Sequence, residues 1–145
     1  KGLFFAFLSI LFFWILYKTQ LTFTRDEVSG RVELVKGNLM PGSKSTTMSI
    51  INGSVKVVAV PGVVKSIEGQ PYIPIKLLPV NSKSFITDNN GQFKFNLPLG
   101  LYTFFLVHNG IAYRNGFDGN GNFEVTRVEN HIEELVLPYN QGAYY

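Results

Sequence analysis

Asp118, Asn120 and Asn122 in "DGNGNFEVTRVE" stand at i, i+2 and i+4, and Glu129 falls at the twelfth position counted from Asp118. Oxygen donors at those offsets are what a loop needs to converge on one hard cation such as Ca²⁺. The count departs from that pattern at the sixth position, where the sharp turn wants Gly and the chain has Phe123. In addition, "FEVTRV" alternates like a strand that carries Glu129 away from the loop. One acidic ligand remains. The expected structure is an Asn/Gly hairpin turn, with Asp118, Asn120 and Asn122 as weak metal candidates, and "DNNGQ" at 88–92 weaker still.

The other residue types that could do chemistry are sparse. His108 and His131 are the two histidines, each at a strand boundary with no nucleophile motif beside it. Glu133 and Glu134 are adjacent, so on a strand they point to opposite faces and cannot work as a carboxylate pair on one substrate. There is no Cys, hence no disulfide, thiolate ligand, Cys nucleophile or lipoprotein acylation site. No Gly-rich loop joins a strand to a helix. The expectation is a non-enzyme without catalytic residues, cofactor or metal.

Charge placement excludes another class. The formal net charge is +3, but from Glu27 onward the charges nearly cancel and are scattered. That is not the footprint of a nucleic-acid binder, so nucleic acid is not an expected partner.

The elements that must position these residues are strands. "EVSGRVELV" (27–35) alternates Val28, Gly30, Val32 and Leu34 against Ser29, Arg31 and Glu33, the pattern of a half-buried strand. Residues 37–54 are rich in Gly, Ser, Asn and Thr, and are expected to form a long loop. "VKVVAV" (55–60) is apolar on both faces, which predicts a central strand. Pro74 and Pro79 demote 72–80 to an edge or irregular strand. "SFITD" (84–88) is short, and the "DNNG" after it is turn chemistry.

Phe93, Phe95 and Leu97 then point one way, with Gln92, Lys94 and Asn96 the other. Pro98 cannot donate to a ladder and stops the strand, Gly100 supplies a permissive corner, and Tyr102 is expected to plug the core. Residues 101–108 resume as a strand, a Gly/Asn-rich tip separates two further strands, and 131–139 closes the sheet. Seven to eight strands with no helical pattern after residue 26 predict an all-β, antiparallel sandwich.

Ahead of it, Gly2 to Tyr17 is a run of 16 residues without a charge. At ~1.5 Å per residue that is roughly 24 Å of helix, close to a hydrocarbon core of ~30 Å once flanking residues are included. Trp14, Tyr17 and Lys18 suit the interface. A cleaved signal peptide is the alternative, leading to export to the outer envelope. Against it, "KTQLTFTRDE" offers no small-x-small cleavage site. The organisation expected is a single-pass transmembrane helix within 1–20, a linker at 21–27 and a sandwich over 28–145. A short N-terminal tail tends to stay cytoplasmic, which places the large domain outside the inner membrane, in the periplasm.

"VSGRV" followed by "TDNNGQFKFNLPLGLYTFFL" resembles the carboxypeptidase regulatory-like domain. Its signature is a G-x-V strand, then T-D-x-x-G-x-F, then L-P-x-G-x-Y. Here these are Gly30 and Val32, then Thr87, Asp88, Gly91 and Phe93, then Leu97, Pro98, Gly100 and Tyr102. "GNLMPG", "FDGNGNFEVTRV" and the closing "YNQGAYY" are similar to envelope proteins of Bacteroidetes-type bacteria. The resemblance implies a transthyretin-like sandwich and a non-catalytic envelope module. It departs at the N-terminus, where similar proteins often carry a lipoprotein Cys and this chain has an apolar span.

One apolar feature is left over. In a two-layer sandwich one face of each strand meets water, yet 101–108 is apolar on both. Thr103, Phe105 and Val107 are therefore expected either as a docking face for a partner or as a surface covered by the 37–54 or 61–72 segments. The functional expectation is an accessory or scaffolding subunit of an envelope complex, with integral membrane and periplasmic partners and the lipid bilayer contacted through residues 2–17. A carbohydrate- or cell-wall-binding module using Tyr113, Tyr139, Tyr144 and Tyr145 is the alternative.

Overall fold

The computed structural model describes residues 25–36, 47–114, 116–129 and 134–140. The expected transmembrane segment, His131, Glu133, Tyr144 and Tyr145 lie outside the described residues. Among those described, no helix is long and apolar enough to cross a membrane.

The described chain is all-β. In order it forms β1 (Arg25–Lys36), β2 (Thr47–Ile50), β3 (Lys56–Pro61), β4 (Tyr72–Pro74), a 3₁₀ turn at Ile75–Leu77, β5 (Lys83–Ile86), β6 (Gln92–Pro98), β7 (Gly100–His108), β8 (Ile111–Tyr113), β9 (Thr126–Val128) and β10 (Leu135–Asn140). These make two sheets. In the four-stranded sheet, β1 is the spine. Its first half pairs with β6 and its second half with β2 along one edge, while β10 takes the other edge. The six-stranded sheet runs β4-β8-β7-β3-β5, with β9 on the same edge of β7 as β8.

Alternation sorts the side chains as the sequence requires. Val28 and Val32 of β1, Phe93 and Leu97 of β6, and Leu137 of β10 face Val57 and Ala59 of β3 and Tyr102, Phe104 and Leu106 of β7. Side chains of this size stabilise the fold by about 1.5–3 kcal/mol each when fully buried. The Phe95 ring stacks on Phe85 at 3.5 Å between centroids, tying β6 to β5 across the two sheets. Gly30 has a packing reason to be glycine. A Cβ there would lie 2.5 Å from the Phe93 ring and 2.1 Å from the Leu135 carbonyl oxygen.

Three expectations need correction. The 37–54 segment is not all loop, because Thr47–Ile50 pairs antiparallel with β1. There are ten strands among the described residues, the extra ones being pieces of three or four residues. The sandwich is also not purely antiparallel, since β10 runs parallel to β1 from Gly30↔Leu135 to Val35↔Asn140. The cause is topological. β9 runs down to the pole where β1 begins, and the chain then crosses to the other sheet. β10 starts opposite Gly30, part-way along β1, and runs away from that pole, and so with β1.

Candidate functional site

The corner is built from the three residues singled out for it. β6 ends at Pro98 and β7 begins at Gly100, so this turn carries the chain from one sheet to the other. Gly100 has φ +150°, a backbone state that residues with a Cβ rarely adopt. The Tyr102 ring is buried, and its hydroxyl donates to the Pro98 carbonyl at 3.0 Å. Burial pushes the phenol above its ordinary pKa. The hydroxyl thus closes the corner on itself, as the tyrosine corner of immunoglobulin-type sandwiches does.

The Asp118 loop spends its oxygens internally. Oδ1 accepts from the backbone N–H of Asn120 at 2.7 Å and of Asn122 at 3.2 Å, and Oδ2 accepts from the Asn122 amide at 2.8 Å. These bonds, the Asn122 side chain first, hold the Asp118 carboxyl below its ordinary pKa. The carboxylate works here as the clamp of a turn. Glu129 is pointed at Arg127, 3.3 Å away. No group of three or more His, Cys, Asp or Glu side chains that could hold a metal occurs among the described residues.

Thr103, Phe105 and Val107 do share a face, but it is not open to a partner. Phe105 is 0 % exposed, and Val107 is only partly exposed. This outer face of the six-stranded sheet, with Val58, Val60, Ile73 and Ala112, forms a second apolar cluster covered by Phe123, Val64 and Leu78. Phe123 meets Phe105 edge-on at 5.0 Å, and Phe117 stacks on Phe123 from outside at 5.3 Å. Thr103 satisfies its hydroxyl by donating to the Gly62 carbonyl at 2.9 Å. The docking-face expectation is corrected accordingly. The chain seals this face itself, in part with the expected 61–72 segment and in part with the 117–123 hairpin.

The hairpin is held shut by Arg114, whose side chain is 9 % exposed and whose Nη2 lies 3.1 Å from the Glu124 carboxylate. Burial pulls Arg114 below the usual guanidinium pKa while Glu124 works in the opposite sense.

The opposite outer face, on the four-stranded sheet, is polar. Arg31 bridges Glu33 at 2.7 Å and also pairs with Glu134, and Lys94 pairs with Glu27 at 2.8 Å. An open cleft of about 440 Å³ lies on it, lined by Ser29, Asp88, Gln92, Lys94 and Glu134. Glu134 precedes β10, so the strand-face argument about it does not apply.

Of the rings at the pole opposite the corner, sequence reasoning named Tyr113 and Tyr139 but missed their neighbours. His108, at the end of β7, faces Tyr139 of β10 with ring centroids 6.2 Å apart, and Tyr72 lies 6.1 Å from Tyr113. Burial and the nearby Tyr113 raise the pKa of Tyr139. A cleft of about 300 Å³ opens beside His108 and Tyr139, floored by Leu34, Ile51 and Val107. The available signal was parity. His108 continues the inward series of Tyr102, Phe104 and Leu106, and Tyr139 continues that of Leu135 and Leu137.

No family model matches the chain, and neither does any curated protein or solved structure.

Proposed function

We propose that this chain is a non-catalytic, membrane-tethered accessory or scaffolding subunit of a bacterial envelope complex, acting by protein–protein docking. The uncharged run Gly2–Tyr17 serves as the single span. The β-domain, of the carboxypeptidase regulatory-like, transthyretin-related kind, stands in the periplasm against integral membrane and periplasmic partners. The family reading draws support from where its motif residues fall: Gly30 lies beneath Phe93, Asp88 clamps the turn, and Pro98, Gly100 and Tyr102 meet at one corner.

The observation that carries docking is the unequal treatment of the two outer faces. One is sealed by the chain's own hairpin, and the other presents the charges of Glu27, Arg31, Lys94 and Glu134 around an open cleft. Paired charges of both signs on an exposed sheet suit a polar partner that matches them in register, giving specificity and rapid encounter. Native purification in mild detergent tests this, comparing the unaltered chain with Lys94→Glu, a change at an exposed site. The account expects a defined set of co-purifying proteins that the charge reversal removes while the β circular dichroism stays intact. A chain that purifies alone, or a variant that keeps every partner, contradicts it.

A cell-wall-binding module is the second reading, favoured by the Tyr72, Tyr113, Tyr139 and His108 cluster at the far pole. Aromatic faces stack on sugar rings. Retention on isolated cell-wall glycan that Tyr72→Ala abolishes would select this reading over docking.

A further inference from the structure

The corner also defines one pole of the domain. Register puts the start of β1 beside the end of β6, with Arg25↔Pro98, and puts Gly100 opposite Val128 and Tyr102 opposite Pro61. One pole therefore gathers the corner, the end of β3, the end of β9 and the residue at which the described chain begins. Three large apolar side chains stand exposed there: Leu99 at 41 %, Leu101 at 38 % and Val63 at 58 %. The Gly62 N–H donates to the Leu101 carbonyl at 2.8 Å, which brings the segment that carries Val63 beside the corner. Arg127, in register with Leu101, is exposed and paired with Glu129. Other apolar side chains are exposed elsewhere, Ile86 and Leu77 among them, but this trio lies at the pole from which β1 starts.

We propose that this pole is the membrane-facing end of the domain, and that Leu99, Leu101 and Val63 enter the headgroup region of the bilayer. The inference rests on the proposed Gly2–Tyr17 span. Between Tyr17 and Arg25 the sequence has seven residues, Lys18 to Thr24. Fully extended they reach at most about 25 Å. A tether that short, delivered to this pole, keeps it within about 25 Å of the bilayer, and burial of the exposed leucines then favours this pole over the Tyr139 and His108 pole. Exposed leucines on a tethered body lose water contact at the acyl boundary.

The absence of Cys allows single-cysteine labelling of the full-length chain. Leu99→Cys, Leu101→Cys and, at the far pole, Ser54→Cys would each carry an environment-sensitive fluorophore in vesicles of phosphatidylcholine and phosphatidylglycerol. A lipid-borne nitroxide should quench the labels at 99 and 101 by about twofold or more and leave the label at 54 unchanged. Quenching of Trp14 by brominated acyl chains reports the span separately. Trp14 quenched with 99 and 101 untouched overturns the facing and leaves the span standing. Trp14 untouched overturns the span and this inference together. Equal quenching at 54, 99 and 101 means that the domain lies flat, which also overturns it.

Discussion

Asp88–Phe93 and Asp118–Phe123 are two copies of one local construction set in different surroundings. In each, the aspartate N–H donates to the carbonyl four residues on, at 2.8 and 3.0 Å. In each, Oδ1 accepts from the second and fourth N–H groups that follow. In each, a glycine with φ +75° or +81° precedes the last turn residue, and a buried Phe follows it. The surroundings differ. Phe93 enters the core between the sheets, whereas Phe123 lies across the outside of the six-stranded sheet. Local chemistry shapes the turn, and topology decides what its phenylalanine seals.

The largest test of that contrast is Phe105→Asp. Placing an unpaired carboxylate beneath Phe123 costs several kcal/mol, a large share of a small domain's stability. Loss of β circular dichroism is the expected outcome. A folded variant that has merely lost a partner would restore the docking face and remove the self-made cover.

Phe93→Ala and Phe123→Ala should each cost about 3–5 kcal/mol, but not in the same place. Hydrogen exchange should show protection falling across both sheets for Phe93→Ala. For Phe123→Ala the loss should concentrate in 62–66 and 117–123, with β1 and β6 still protected. Uniform loss in both variants would mean that the outer cover is not a separable layer.

The glycines sharpen the contrast at lower energy. Gly121 has nothing within 4 Å of an added Cβ, so Gly121→Ala should cost only the left-handed backbone penalty of about 1–2 kcal/mol. Gly91→Ala should cost more, because its Cβ would lie 2.3 Å from Ile51 Cγ2 and 2.9 Å from the Val32 carbonyl oxygen. Urea midpoints of the two variants rank them, and equal shifts would show that Ile51 yields freely.

The smallest effect is the acid response of the second turn. The folded Asp118 carboxyl has a pKa below its ordinary value, so its stabilisation is complete above that ordinary value. It is lost as pH falls through the lower, folded one. The site is exposed and the contribution correspondingly small. The amide resonances of Asn120 and Asn122 should titrate together with a midpoint below the ordinary aspartate range. A midpoint at or above that range would mean that the clamp does not form in solution. EDTA should leave the melting temperature unchanged. A fall reversed by Ca²⁺ would reinstate Asp118, Asn120 and Asn122 as ligands.

Much of the sandwich was legible because strand parity is a strong signal. Val28 and Val32, and Phe93 and Leu97, were each placed on one strand face from alternation, Tyr102 was expected in the core from the corner, and "VKVVAV" was expected as a central strand from apolarity on both faces. The corner was legible because Pro, Gly and Tyr each have a restricted structural use. The cover was not. Alternation says which face Phe105 occupies and nothing about what lies on it, and Phe123 arrives from a Gly/Asn-rich segment whose composition suggests only a tip. The direction of β10 was hidden too, since parallel and antiparallel pairing place the same side chains inward. Thr47–Ile50 escaped because its Ser/Thr-rich surroundings carry no alternation. The transmembrane segment rests on composition alone.

The central functional claim is that the chain keeps its apolar segment and is tethered by it. Intact mass measurement of the protein extracted from alkali-washed membranes tests this most directly. The account predicts that the whole of Gly2–Tyr17 is present in a chain that resists alkaline extraction. A mature protein beginning near Thr22, released into the soluble fraction, would contradict it and make the segment a cleaved signal.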